Sequence, residues 1–114
     1  MSSLFGAKAQ QNDSIKILAA SEFNEAISND NFQLVDVRTE KEFKEGAIEV
    51  ALNIDFFQQE KFTEEVNMLV KKEPVYLYCR SGNRSQQAAA KLQEMGFLQI
   101  YDLQGGYMNW PYKN

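Results

Sequence analysis

The sequence predicts an α/β fold: a central, mainly parallel sheet of about five strands with helices on both faces. Three observations predict it. From residue 15 onward, short apolar runs alternate with stretches of helical period, the pattern of successive β-α-β units. The run Val75-Tyr76-Leu77-Tyr78 is apolar or aromatic at every position, as in a strand covered on both faces. Gly or Pro punctuates the segment ends at Gly46, Pro74, Gly96 and Gly105-Gly106. With 114 residues, the chain suits one domain that can bury a core without disulfides or metals.

Residues 1–14 are polar and unpatterned and read as a flexible tail, which places the domain at 15–114. Residues 15–19 read as the first strand. Ser21 then offers an N-cap, and Phe23, Ala26 and Ile27 share one face of a short helix. Asn29-Asp30-Asn31 is a turn cluster, and residues 32–37 form a second strand ending at Asp36-Val37-Arg38. Thr39 and Glu42 have capping-box spacing and open a helix of one or two turns that Gly46 stops. Residues 51–54 are a third strand. A helical pattern covers 55–70, with Phe62, Val66, Leu69 and Val70 on one face, and Glu73-Pro74 ends it. The fourth strand is 75–78. Helical spacing returns over 85–95 through Ala88, Leu92 and Met95, and 98–103 is the fifth strand. Gly105-Gly106 turns the chain into a last helical turn at 107–110. Ligands in open parallel sheets bind at the C-terminal strand ends, where Asp36-Val37-Arg38 and Cys79 both fall.

Composition narrows the chemistry. The chain has one cysteine and no histidine. An internal disulfide, a CxxC redox pair and a cysteine zinc cluster are therefore excluded, and so are Cys-His and Ser-His nucleophile pairs. Neither a metal nor a cofactor is expected. The net charge of −4 argues against nucleic acid or an anionic membrane as partner. No apolar run approaches a membrane span. Leu4 and Phe5 are the only large apolar residues over 2–7, too few for a secretory leader, so the expected location is the cytoplasm and the expected state a monomer.

The chemistry gathers at Cys79-Arg80-Ser81-Gly82-Asn83-Arg84-Ser85. A strand, a tight Gly-containing loop and a helix N-terminus make an anion cradle. Helix N-termini and nearby guanidinium groups lower a thiol pKa from about 8.5 to roughly 3.5–7.5, so Cys79 can be a nucleophile without an imidazole base. Arg80, Ser81, Gly82, Asn83, Arg84 and Ser85 are the candidate substrate-binding residues, mainly through loop amides, with Ser85 as N-cap. Arg84 has two readings, substrate contact or a brace through a carboxylate such as Asp36. Asp36 and Arg38 read as a structural ion pair, Gly105-Gly106 as a turn, and Trp110 and Tyr107 as packing. Two anion chemistries start from such a cysteine: phosphoryl or arsenate transfer, and sulfur transfer through a persulfide. Cys79 to Arg84 spans six residues, one fewer than a cradle for a tetrahedral phosphate uses.

These segments resemble the rhodanese family over nearly all of 15–110. The matching pieces are Leu34-Val35-Asp36-Val37-Arg38 with Glu42-Phe43, Gly46-Ala47-Ile48 leading to Ala51-Leu52-Asn53-Ile54, the segment from Val75 to Ser85, and Leu103-Gln104-Gly105-Gly106 with Trp110. The resemblance implies a rhodanese fold and a persulfide on Cys79. It also implies a small sulfur-containing anion such as thiosulfate as donor, and cyanide, a thiol or a partner protein as acceptor. The phosphatase and arsenate-reductase relatives carry a seven-residue loop. A non-enzymatic persulfide relay is the other alternative. One departure stands out: where the family often has Gly-His-Ile and then Pro-Gly-Ala, this chain has Gly46-Ala47-Ile48-Glu49-Val50-Ala51.

Overall fold

The computed structural model describes residues 14–29 and 32–113. The expected tail, Ser14 apart, and most of the 29–31 turn lie outside the described residues. Five strands follow in chain order: β1 (Ile15–Leu18), β2 (Gln33–Asp36), β3 (Leu52–Asn53), β4 (Val75–Tyr78) and β5 (Ile100–Leu103). The helices are α1 (Ala20–Ala26), α2 (Glu40–Glu45), α3 (Gln59–Val66) and α4 (Asn83–Glu94), followed by a 3₁₀ turn at Tyr107–Asn109. Every pairing is parallel and the strand order is β1-β5-β4-β2-β3. The expected fold class holds. β4 is the middle strand, so its C-terminal end opens between those of β5 and β2.

Two apolar layers cover the sheet. On one face Val35, Val75, Leu77 and Ile100 meet Phe62 and Val66 of α3 and Ala88, Ala89 and Leu92 of α4. On the other, Leu34, Tyr78 and Leu103 meet Phe23 of α1 and Trp110. Leu77 and Tyr78 go to opposite layers because side chains alternate along a strand. That double coverage is why β4 reads as continuously apolar. Phe23 packs edge-on to Tyr76 at 5.6 Å and to Trp110 at 6.0 Å, the favoured aromatic geometry.

Several boundaries differ from expectation, each for a local reason. α1 begins at Ala20 with Ala19, not Ser21, as N-cap; Glu22 Oε1 accepts the Ala19 N–H at 3.2 Å, the half of a capping box that asks nothing of the N-cap side chain. The helix expected over 55–70 is confined to Gln59–Val66. At its start the Asp55 carboxylate accepts the Phe57 N–H at 2.9 Å and holds a turn. At its end Gln33 of β2 grips Val70, accepting its N–H at 2.7 Å and donating to its carbonyl at 2.9 Å. β5 starts at Ile100 rather than 98, because the Leu98 N–H goes to the Lys71 carbonyl at 3.2 Å. The departure at 48–51 forms a tight turn in which Ala51 N–H donates to Ile48 O at 3.2 Å. Val50 stands there at φ 63°, the only non-glycine with positive φ among the described residues.

Candidate active site

Cys79 leaves the end of β4 and is 1% exposed. It therefore lies beneath the loop rather than at its open mouth. The backbone of the next residues folds over it. Gly82 adopts φ 117°, a left-handed conformation that suits glycine, and caps α4. Its N–H donates to Cys79 Sγ at 3.0 Å. α4 therefore starts at Asn83, not at 85, and the expected N-cap role of Ser85 is corrected: Gly82 holds that position. Ser85 instead sits one turn in, fully buried under the sulfur. Its Oγ accepts from Cys79 Sγ at 3.4 Å and donates to Gly82 O at 3.2 Å. One amide, one hydroxyl and the positive end of a 12-residue helix thus converge on the sulfur.

The two arginines of the loop have different fates. Arg84 forms a two-pronged pair with Glu42, Nη1 to Oε1 at 2.8 Å and Nη2 to Oε2 at 3.0 Å. It also lies over the Phe57 ring at 5.0 Å. The brace reading is the one the geometry realises, but the carboxylate is Glu42 and not Asp36. Glu42 is held in turn by its own helix start: Oε1 accepts the Thr39 N–H at 3.0 Å and the Thr39 hydroxyl at 3.0 Å. The Arg84 guanidinium brings the Glu42 carboxyl down to about 2, against the effect of burial, with help from Thr39. Arg84 is raised by the same pairing. Arg80 is exposed and joins no ion pair among the described residues. Ser81 and Asn83 are also exposed, and Asn83 Oδ1 accepts from Gln87 of its own helix at 3.2 Å.

Asp36 and Arg38 form a separate buried pair beside the loop. Nη2 and Oδ2 are 2.7 Å apart, and Nε reaches both carboxylate oxygens at 3.0 and 3.1 Å. Arg38 also donates to the Gly46 carbonyl at 2.6 Å and lies 4.6 Å over the Tyr107 ring. Burial opposes the Arg38 charge, but Asp36 overcomes it and raises the guanidinium pKa. Tyr78, pushed up by burial, accepts the Ile48 N–H at 3.0 Å.

The 3₁₀ turn clamps the loop from behind. Tyr107 N–H donates to Cys79 O at 2.8 Å and Met108 N–H to Arg80 O at 2.9 Å. The approach is so close that a Cβ on Gly106 would stand 2.4 Å from Arg80 O. Gly106 is thus more than the turn residue its sequence suggested, since the Cys79 loop rests on it.

A family model for the rhodanese-like domain matches residues 19–112. The chain belongs to the rhodanese family. Among similar proteins, the uncharacterized protein YqhL of Bacillus subtilis is 41% identical over 78 residues, 68% of this chain and 60% of that protein. The thiosulfate sulfurtransferase GlpE of Coxiella burnetii is 31% identical over 86 residues, 75% of this chain and 78% of that protein. A rhodanese-related protein of Thermoplasma volcanium superposes with a TM-score of 0.72 at 28% identity, over 83% of this chain and 89% of that one. The rhodanese loop is carried by residues its sequence makes plain. Its supports are less plain. Glu42 read only as a helix cap, Gly106 only as a turn, and Asp102 of β5 not at all. The capping-box spacing was the one local signal for Glu42; the pairing partner lies 42 residues away.

Proposed function

We propose that the protein is a sulfurtransferase that carries sulfane sulfur as a Cys79 persulfide. The observation that carries this reading is the Gly82 N–H directed at Cys79 Sγ at 3.0 Å, at the head of α4, within a six-residue loop. With thiosulfate as donor, the Cys79 thiolate attacks the outer sulfur. A new S–S bond forms, the donor S–S bond breaks, and sulfite leaves with its electron pair. The persulfide anion occupies the place where the helix start and loop amides favour negative charge. Arg80, exposed and in no ion pair among the described residues, is the cation available to an incoming anion, while Arg84 holds the loop in shape through Glu42. Cyanide, a small thiol or a partner protein then removes the outer sulfur and restores the thiolate. Discharge is external because the chain has no second cysteine. This reading places the protein in the cytoplasm as a monomer; among the described residues no helix is long and apolar enough to cross a membrane.

The test is thiosulfate:cyanide turnover of wild type and Cys79→Ser side by side. Turnover should vanish in the variant, and full activity there would sink the assignment. A second reading, a relay that takes sulfur from a protein donor, is favoured by the burial of Cys79 at 1% exposure. Negligible turnover with thiosulfate, together with rapid sulfur uptake from a desulfurase, would select it.

A further inference from the structure

A buried acid lies behind the nucleophile, and nothing in the reaction above uses it. Asp102 is in β5, 1% exposed, and its Oδ1 has no hydrogen-bond partner among the described residues. A carboxyl in that state is uncommon, because a buried unpaired polar atom is costly. Asp102 and Leu77 are register partners on adjacent strands, so both side chains point to the layer that holds Cys79 and α4. The groups that favour its charged form are the Ser85 hydroxyl and the Leu103 amide, and both lose to burial.

The one Ser85 proton therefore lies among three acceptors: Gly82 O, the Asp102 carboxylate and, once it is ionised, the Cys79 sulfur. The Ser85 hydroxyl donates to Gly82 O at 3.2 Å, accepts from Cys79 Sγ at 3.4 Å, and is the side-chain group that favours the charged form of Asp102. A hydroxyl has one hydrogen and two acceptor sites. We propose that Asp102 is a positioning residue for Cys79, and that its protonation state decides which way the Ser85 hydroxyl points. Neutral Asp102 donates to Ser85 Oγ and leaves the Ser85 proton free to turn to a sulfur anion. Ionised Asp102 accepts that proton instead and sets a second negative charge behind the sulfur. Burial pushes the Asp102 carboxyl up to about 6, so the exchange falls in an accessible pH range.

Among the described residues no fixed counter-charge competes. β1 offers Ile17 at the Asp102 register position, and Lys16 is exposed beside Tyr101 on the opposite face. β4 offers Leu77, with Tyr76 on the opposite face. On α4, Arg84 is turned to Glu42, Lys91 donates to Gln59, and Glu94 is exposed. Among the described residues, Cys79 is the remaining titratable group on that side.

The proposal rests on Cys79 as the reacting group, but its test needs no sulfur transfer. The chain's single cysteine is alkylated with iodoacetamide across pH in wild type and Asp102→Asn. The amide of Asp102→Asn imitates the neutral acid. Its rate relative to wild type should be near one at about pH 5 and rise to about threefold or more at about pH 8. In a Ser85→Ala background the Asp102→Asn ratio should fall markedly, keeping only the part due to the carboxylate's own charge. Superimposable pH profiles for wild type and Asp102→Asn overturn the proposal, as does a ratio that Ser85→Ala leaves unchanged. Carboxyl carbon NMR on the wild type guards against a variant that fails to fold. An Asp102 midpoint near the value burial implies supports the proposal, and one at the ordinary aspartate value of about 3.9 overturns it. If Cys79→Ser kept its turnover, the sulfurtransferase reading would fail while these profiles still decided the role of Asp102.

Discussion

Val50 shows how one residue can sit against its own chemistry. It is β-branched and 79% exposed, and it occupies the third position of the 48–51 turn at φ 63°. That conformation costs an L-residue roughly 1–2 kcal/mol, and a type II turn asks for glycine there. Val50→Gly should therefore stabilise the protein by about 0.5–1 kcal/mol, since the gained backbone freedom of the unfolded chain offsets part of the relief. Urea unfolding checks this, and a loss of stability would refute the strain argument. Glu42 is the second residue with a measurable consequence. Its folded value of about 2 lies below the ordinary 4.5. The Arg84 pairing therefore contributes fully above about pH 4.5 and is lost as the pH falls toward 2. Glu42→Gln should cost about 1–2 kcal/mol at neutral pH, less than the full shift implies because the pair is partly exposed. The difference from wild type should shrink in acid.

At the scale of elements, the decisive contact is the 3₁₀ turn against the Cys79 loop. Gly106→Ala places a Cβ 2.4 Å from Arg80 O on a backbone at φ 64°. The turn must then withdraw, and the hydrogen bonds from Tyr107 and Met108 lengthen with it. We expect a loss of about 2 kcal/mol in stability and tenfold or more in sulfur transfer. Transfer kinetics with circular dichroism would show it; unchanged transfer in a folded variant would count against the clamp. This contact also marks where sequence reading stops. The strands, the helices and the six-residue loop were legible because each leaves a short-range pattern of apolar spacing, capping residues or glycines. Helix ends were less so, because α3 stops at Val66 and Gln33, 37 residues away in sequence, holds Val70 beyond it. The Arg84–Glu42 pair, the seat on Gly106 and the burial of Asp102 are long-range contacts. No local spacing encodes which carboxylate meets which arginine, and Asp36 was a reasonable but wrong partner for Arg84.

The whole molecule sums these groups into a pH profile. Glu42 adds stability as the pH rises from about 2 to 4.5. Asp102 works in the opposite sense: its folded value of about 6 exceeds the ordinary 3.8, so the folded state holds its proton longer and stability falls between those values. Together the two predict a crest at about pH 4–5. Urea midpoints across pH should show it. Glu42→Gln should flatten the acid limb and Asp102→Asn the neutral one, and a level profile from pH 4 to 7 would contradict the Asp102 part. A second whole-molecule expectation follows from the single cysteine. Thiosulfate should load one sulfur atom per chain, read by intact mass, and none in Cys79→Ser.

The clamp also bears on the order in which the protein is made. Translation delivers Cys79, Gly82 and all of α4 before Gly106, Tyr107 and Met108 exist. A nascent chain that has emerged only to Met95 carries the Cys79 thiol but lacks the two amides that hold the carbonyls of Cys79 and Arg80. It also lacks β5, which pairs on one side with β1 and on the other with β4. The thiol is thus synthesised early and its cradle is finished late. A ribosome-stalled chain ending before Gly106 should be slow to take up sulfur, whereas one with the turn and its following residues clear of the exit tunnel should load normally.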